Sequence, residues 1–390
     1  MPSEFIDARN PASPAAVHGD VFDGELLVGG SDEFRVALLI PMCGSAGIWG
    51  PSCIASAEVA AYELNRRNGI TGRNVRLMLV DSAIEAPTPV EHLVDGLIES
   101  RSIDAIVGMH ISAVRQRLAK VVRGRVPYVY TPMYEGGEHS FGVFAIGDTP
   151  GHQLVPAMEW IRRRYRLRKW ALIGNDYVWP RASNRYAKSK LADMNASLVH
   201  ERYIPFSAPD MAVEVEAIEK SGAEAVLISL IGQDAVDFNR IFGYMGLDRR
   251  ILRLTCVIEE NGLLASGAEN LKRLFCASSY FGALATDANA CFRETYHSFH
   301  GNRAPVLGAL GQSTYEGMHF LASLMGDGRT DWREHYVSSA GPVVYRSARQ
   351  GSYVSNSHSG IATFMARTDG AVYRVIEKIH ENTTTYINHW

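Results

Sequence analysis

The sequence lacks most of the marks that assign a protein quickly. Neither sign of charge dominates, with 39 Lys+Arg against 42 Asp+Glu. It therefore has no basic balance of the sort that a phosphate backbone demands, and direct nucleic-acid binding is not expected. No apolar run approaches the ~20 residues of a membrane-spanning helix. The longest, such as 223–230, are strand-sized and soon broken by polar residues. Cysteine is scarce: Cys43, Cys53, Cys256, Cys276 and Cys291 are scattered over 390 residues. That is too thin for a disulfide framework and reads as free thiols in a reducing compartment. Residues 1–32 hold neither a basic start nor an apolar stretch of secretory length, which predicts action in the cytoplasm. Repeats of solenoid period and low-complexity tracts are missing as well.

What is there is alternation. From residue 34 onward short apolar runs alternate with amphipathic stretches, the pattern of βα units. The first half reads as strands at 34–40, 75–80, 104–108, 126–130 and 142–147, with helices from Pro51 and over 87–98 and 112–123. Pro51 suits a first helical turn, and Asn68-Gly69 suits a stop. The pattern then restarts, with strands at 170–174, 199–204, 225–230, 251–257 and 271–281 and helices at 153–165, 181–195, 211–220 and 235–245. Helices at 288–300 and 311–325 exceed what either half needs. The tail, 362–367 and 371–379 around Thr368-Asp369-Gly370, reads as a hairpin. Two similar halves followed by extra elements imply two lobes, with the chain crossing back between them.

Catalytic motifs are sparse. Cys43-Gly44-Ser45-Ala46-Gly47 is not a nucleophile elbow, and Gly44, Gly47 and Gly50 miss the dinucleotide spacing. His297, His300 and Cys291 share a helix without a further ligand nearby, so no metal, cofactor or enzymatic activity is expected. The polar and aromatic residues gather instead where strands end, the place at which open α/β sheets bind ligands. The first half offers Ser45, then His110 and Ser112, then Tyr130, Thr131 and Tyr134. The second offers Tyr177, Trp179, Gly232 and Glu259. Ser112 suits a helix N-terminus, where free N–H groups hold a carbonyl or carboxylate oxygen. The tyrosines and Trp179 offer apolar faces with polar tips that enclose and orient a small molecule. Glu135 and Arg181 are expected to pair across the cleft mouth, and Asp176 or Glu259 is the acid available to a ligand ammonium.

The stretch from Ile40-Pro41 to Gly50, Ala57-Glu58-Val59-Ala60, Glu63-Leu64-Asn65 and Asn68-Gly69-Ile70-Thr71-Gly72-Arg73 resembles the opening of the type I periplasmic binding proteins. Within that family, Tyr134-Glu135-Gly136 and the segment 173–184 are most similar to the amide-binding regulators of aliphatic amidase operons. The resemblance implies an α/β, two-lobed fold, each lobe a mostly parallel sheet flanked by helices, joined by three crossovers. The expected parts are an arm at 1–32, a first lobe at 33–147 plus 282–327, a second at 148–281 plus 328–379, and a tail at 380–390. It further implies a non-catalytic sensor of a short aliphatic amide, held by His110, Ser112, Tyr130, Thr131 or Pro132, and Tyr177. His110 and Trp179 each stand where those regulators have Tyr. The implied partner is an RNA-binding antiterminator or another regulator protein controlling amidase or nitrile hydratase genes, with self-association left open. The alternative is a solute-binding protein of an ABC transporter, for urea, short amides or branched-chain amino acids.

Overall fold

The computed structural model describes residues 4–6, 32–326, 328, 331–335, 343–345, 347–349, 352–354, 357–359 and 361–381. The first sheet begins with β1 (Glu4–Ile6) and β2 (Glu33–Ile40). It continues through α1 (Gly50–Asn65), β3 (Asn74–Asp81), α2 (Val90–Glu99), β4 (Ala105–Gly108), α3 (Ser112–Val122), β5 (Tyr128–Tyr130) and β6 (Val143–Ala145). Its strand order is β1-β3-β2-β4-β5-β6, parallel throughout except for β1, which runs antiparallel to β3. The central strands are apolar and buried on both faces, as a helix-covered parallel sheet requires. Register fixes the functional edge: Leu39 lies opposite Gly108, Gly108 opposite Tyr130, and Tyr130 opposite Ala145. The residues that follow these four therefore emerge together.

The second sheet is built from α4 (Leu154–Tyr165), β7 (Lys169–Asn175), α5 (Val178–Asp193), β8 (Ser197–Ile204), α6 (Met211–Lys220), β9 (Ala225–Ser229), α7 (Gly232–Tyr244), β10 (Leu252–Thr255), α8 (Glu260–Ser266) and β11 (Leu274–Ser278). Asp210 caps α6, its carboxylate accepting the Ala212 and Val213 N–H groups. The chain then returns through α9 (Asp287–His300) and α10 (Ala309–Met325), which pack on α1. Three short strands, β12 (Val343–Val344), β13 (Ser352–Val354) and β14 (Ser357–Ser359), form a small antiparallel sheet. The chain re-enters the second lobe as β15 (Ala362–Asp369) and β16 (Val372–Glu381), joined by the expected Asp369-Gly370 turn with Gly370 at φ 62. The second sheet thus reads β16-β15-β11-β10-β9-β7-β8. This is the expected fold: two mostly parallel sheets flanked by helices and linked by three passages of the chain.

The third passage starts later than residue 328. Trp332 packs edge-on against Phe144, with ring centroids 6.1 Å apart, and Tyr345 against Phe320 at 5.5 Å, so Trp332 and Tyr345 both belong with the first lobe. Glu4–Ile6 is a strand of the first sheet rather than part of a separate arm. The rest of the expected arm, up to residue 31, and the tail from 382 lie outside the described residues.

Candidate functional site

The site forms where the carboxyl ends of the two sheets face one another. On the first lobe, α3 starts at Ser112 directly after β4, and its next turn carries Arg115, nearly fully buried. The Arg115 guanidinium donates to Glu138 Oε2 at 2.8 Å, to Glu135 Oε1 at 2.7 Å and to Ser112 Oγ at 3.4 Å. It also lies over the rings of Tyr130 and Tyr134, 5.0 and 5.2 Å from their centroids. One cation thereby fixes two aromatic walls and two carboxylates at once. Glu135 consequently does not pair with Arg181. Arg181 instead binds Asp176 at 2.6 Å on the half-exposed rim, which occupies the acid expected to meet an ammonium group.

Hydroxyl directions follow from the partners. Tyr130 donates to the His110 carbonyl at 2.8 Å, so its oxygen is left to accept, and Ser112 Oγ lies 3.4 Å from it. His110 was expected at the ligand, but both ring nitrogens are used within the lobe. Nδ1 lies 3.2 Å from the Ile111 carbonyl, to which only an N–H can donate, which leaves Nε2 to accept from Tyr128 at 2.9 Å. Burial pushes this imidazole down to about 3, so it is neutral at physiological pH. Thr131 is wholly buried, its hydroxyl donating to the Gly108 carbonyl at 3.4 Å.

The second lobe supplies the opposing wall. Tyr177 is the N-cap residue of α5 and stacks near Phe206 and Trp179, with centroids 5.5 and 6.4 Å away. Burial raises the Tyr177 phenol well above its ordinary value, and the nearness of Tyr130 and Glu135 across the cleft adds to this. Phe206 and Ile231 line a small cavity together with Pro41, Ala46, Ser82, Glu85 and Ile111 of the first lobe. Tyr130, Tyr134 and Ser112 thus share the wall of the first lobe, with Tyr177 of the second lobe near Tyr130, whereas Trp179 lines a separate small cavity within the second lobe together with Pro150, Leu154, Ser183 and Cys256.

Ser45 and Gly232 have a different place from the one expected. Ser45 Oγ donates to Asp234 Oδ2 at 3.2 Å and lies 3.3 Å from Ser207 Oγ. The same Asp234 oxygen accepts from Asn175 Nδ2 at 2.7 Å and from the Ser207 N–H at 3.2 Å. Gly232, at φ +50, has its backbone against the Ser45 carbonyl, where a Cβ would come within 1.7 Å. These residues hold lobe to lobe rather than facing a ligand. Burial raises the Asp234 carboxyl, partly offset by its hydrogen bonds.

Glu259 is also drawn into the interlobe contact. It follows β10, and its Oε1 accepts the Leu310 N–H in the first turn of α10. Its Oε2 is buried without a hydrogen-bond partner. Burial pushes this carboxyl up to about 8. Beside it, Asn261 Nδ2 donates to the Ile48 carbonyl at 2.9 Å, another tie between lobes.

A buried polar network spans the three passages. Arg349 pairs with Glu316 of α10, both nearly free of solvent, and donates to Ser279 Oγ at 3.2 Å. Ser279 in turn donates to Asp148 at 2.5 Å. Asp148, Ser279 and Arg349 belong to the first, second and third passages respectively, and line one cavity with Thr131, Pro132 and Gly147. Sequence reasoning passed over Arg115, Glu138, Phe206, Asp234, Glu316 and Arg349. Each sits in an amphipathic helix or a connecting stretch, where a charge ordinarily reads as solvated.

Residues 33–366 match the model of a family described as periplasmic binding protein. Among solved structures, a solute-binding protein of an ABC transporter from R. palustris, in complex with 4-hydroxybenzoate, superposes with TM-score 0.80 at 16% identity, covering 92% of this chain and all of that one. A periplasmic binding protein from Burkholderia mallei gives 0.77 at 14% identity, with 90% and 96% covered. The branched-chain amino acid transporter substrate-binding protein of Streptococcus pneumoniae, in complex with isoleucine, gives 0.72 at 12% identity, with 89% and 99% covered. Two sheets meeting over an aromatic cleft, and a family match spanning most of the sequence, lead to the same conclusion: the chain belongs to the periplasmic binding protein family and is a ligand-binding protein.

Proposed function

We propose that this chain is a solute receptor of the ABC-transporter type, which closes its lobes on a small polar organic molecule. The observation that supports this reading is the approach of Tyr177 of the second lobe to Tyr130 and Glu135 of the first, beside the lobe-to-lobe hydrogen bonds of Ser45 with Asp234 and of Glu259 with Leu310. A ligand touching both walls gains contacts only when they meet, so its differential affinity favours the closed arrangement. The transporter setting is carried over from the solute-binding proteins that share the fold. A cytoplasmic amide-sensing regulator that acts through a protein partner is the second reading. It rests on the likeness of 173–184 and Tyr134-Glu135-Gly136 to such regulators, and uses the same pocket.

Thermal unfolding against short amides, urea, leucine, isoleucine and hydroxybenzoates tests the receptor reading. A ligand at a hundred times its Kd adds about 2.7 kcal/mol to the stability of the folded state, a rise of several degrees in midpoint. A rise with at least one member is expected; no response to any of them would contradict a receptor for this class.

A further inference from the structure

The far end of the second lobe carries a charge pattern that the cleft does not use. Residues 162–169 read Arg-Arg-Arg-Tyr-Arg-Leu-Arg-Lys, six cations in eight positions of a chain whose net charge is −3. All six are exposed, because this run forms the last turn of α4 and the link into β7. Lys169 opens β7 and Asn175 closes it at the cleft, so the run lies about 20 Å from the ligand walls.

Local acids answer only part of this charge. Arg162 and Arg163 share Glu159, and Arg164 pairs with Glu377 at 2.9 Å. Glu224 is taken by main chain, accepting the Arg168 and Lys169 N–H groups at 2.6 and 3.1 Å. Arg166 and Lys169 have no acidic side chain paired with them among the described residues. The C-terminal hairpin adds to the excess. Arg367 of β15 lies directly opposite Arg374 of β16, and opposite Phe275 of β11 on its other side. Phe275 packs on Trp160 and Tyr165, with ring centroids 5.7 and 5.5 Å away, so both arginines lie on the face that α4 covers. Both are exposed, and neither is paired with an acid among the described residues. Like charges directly opposite one another weaken a sheet, and an anion placed between them removes that cost.

The chemistry on offer is phosphate recognition. All of these cations except Lys169 are arginines, whose planar fork matches phosphate oxygens. A single-stranded nucleic acid would also need free aromatic faces for its bases. Here those faces are occupied: Trp160 and Tyr165 lean on Phe275, and Arg164 covers Trp160 at 4.1 Å. The apolar contact that remains is aliphatic, since Val372, on the same side of β16 as Arg374, is 59% exposed.

We infer that this end of the second lobe is a docking surface for an anionic lipid bilayer, with the arginines on headgroup phosphates and Val372 at the edge of the acyl region. The inference goes beyond the receptor reading and uses no residue of the cleft. A chain held this way is concentrated at a membrane while its lobes stay free to close.

The test is flotation of the full chain with vesicles of equimolar phosphatidylglycerol and phosphatidylcholine, against vesicles of phosphatidylcholine alone. Binding to the anionic vesicles only, and its loss at about 0.5 M salt, is the expected result. Arg163→Gln, Arg166→Gln and Lys169→Gln together leave the Arg162–Glu159 and Arg164–Glu377 pairs in place and should weaken binding about tenfold or more. Arg67→Gln, Arg123→Gln and Arg303→Gln together make the same change of net charge at exposed positions of the first lobe. Arg123 matches Arg166 in left-handed backbone, with φ 49 against 45, and this second triple variant should bind as the native chain does. Equal binding to both kinds of vesicle, binding to neither, or the same loss in both variants overturns the inference. So does tighter binding of a single-stranded RNA oligonucleotide than of the anionic vesicles at equal phosphate concentration. Each of these results leaves the receptor reading standing, because the thermal response to ligand is read at the cleft and is expected to be native in the first triple variant.

Discussion

Gly232 offers the sharpest perturbation of closure. Its φ of +50 and the 1.7 Å separation between a built Cβ and the Ser45 carbonyl oxygen mean that alanine cannot sit there while the lobes meet as described. Ordinary carbon–oxygen contact needs about 3.3 Å, so Gly232→Ala obliges the lobes to part by roughly 1.5 Å here. The Ser45–Asp234 hydrogen bond, at 3.2 Å, and the Ser45–Ser207 contact, at 3.3 Å, would both be lost. At about 1 kcal/mol each, the closed state loses about 2 kcal/mol relative to the open one. That weakens ligand binding on the order of thirtyfold. A left-handed alanine costs a further ~1 kcal/mol in the open and closed chain alike, so the midpoint of the unliganded protein should fall by only a few degrees. Titration of a ligand from the thermal panel, beside unfolding of the unliganded variant, reads both numbers. Native affinity in a folded Gly232→Ala protein would refute the contact as a determinant of closure.

Other consequences are equally measurable. Tyr177→Phe should weaken a ligand of the thermal panel about tenfold with an unchanged midpoint of the free chain, since it removes a hydroxyl and little packing; equal binding would place the ligand elsewhere. Glu316→Gln leaves the buried Arg349 without its counter-charge, which should cost about 3–5 kcal/mol and lower the unfolding midpoint by roughly ten degrees. A midpoint within a degree of the native one would show that the pair is not structural. Glu259 binds its proton more tightly when folded, with a pKa near 8 against about 4.3 in an unfolded chain. Its contribution is therefore fully present below about pH 4.3 and is lost as pH rises toward 8. Glu259→Gln should flatten the decline in stability between pH 5 and 8, as read by unfolding across that window, and an identical slope in both proteins would contradict the burial assigned to this carboxyl.

The fold was legible wherever burial leaves a continuous signature. The unbroken apolar run before Pro41 is β2, and the matching runs that end at Gly108 and Ser229 are β4 and β9, because strands covered on both faces tolerate few polar residues. Signals confined to a few residues were not legible. Helix α5 begins at Val178 rather than 181 because Pro180 is tolerated in its first turn, where the sequence reads as a loop. Helix α8 spans seven residues, too few for a periodicity to declare itself. Strand β1 depends on a partner edge far along the chain. Tyr130, Tyr134, Tyr177 and Trp179 stand out in the sequence because Tyr130 ends β5, Tyr134 follows it, and Tyr177 and Trp179 follow β7. His110 was misplaced because nothing in the sequence shows that Tyr128 and the Ile111 carbonyl occupy its nitrogens. Arg115, which organises the pocket, lies on an amphipathic helix where arginine usually faces water.

The account stands on closure of two lobes around a ligand, and small-angle X-ray scattering of the full chain, with and without a saturating ligand from the thermal panel, tests it most directly. A smaller radius of gyration on binding, absent in Gly232→Ala, is the result expected. Saturation of the native chain with no change in its dimensions, or the same contraction in Gly232→Ala, would contradict closure through the Ser45–Gly232 contact.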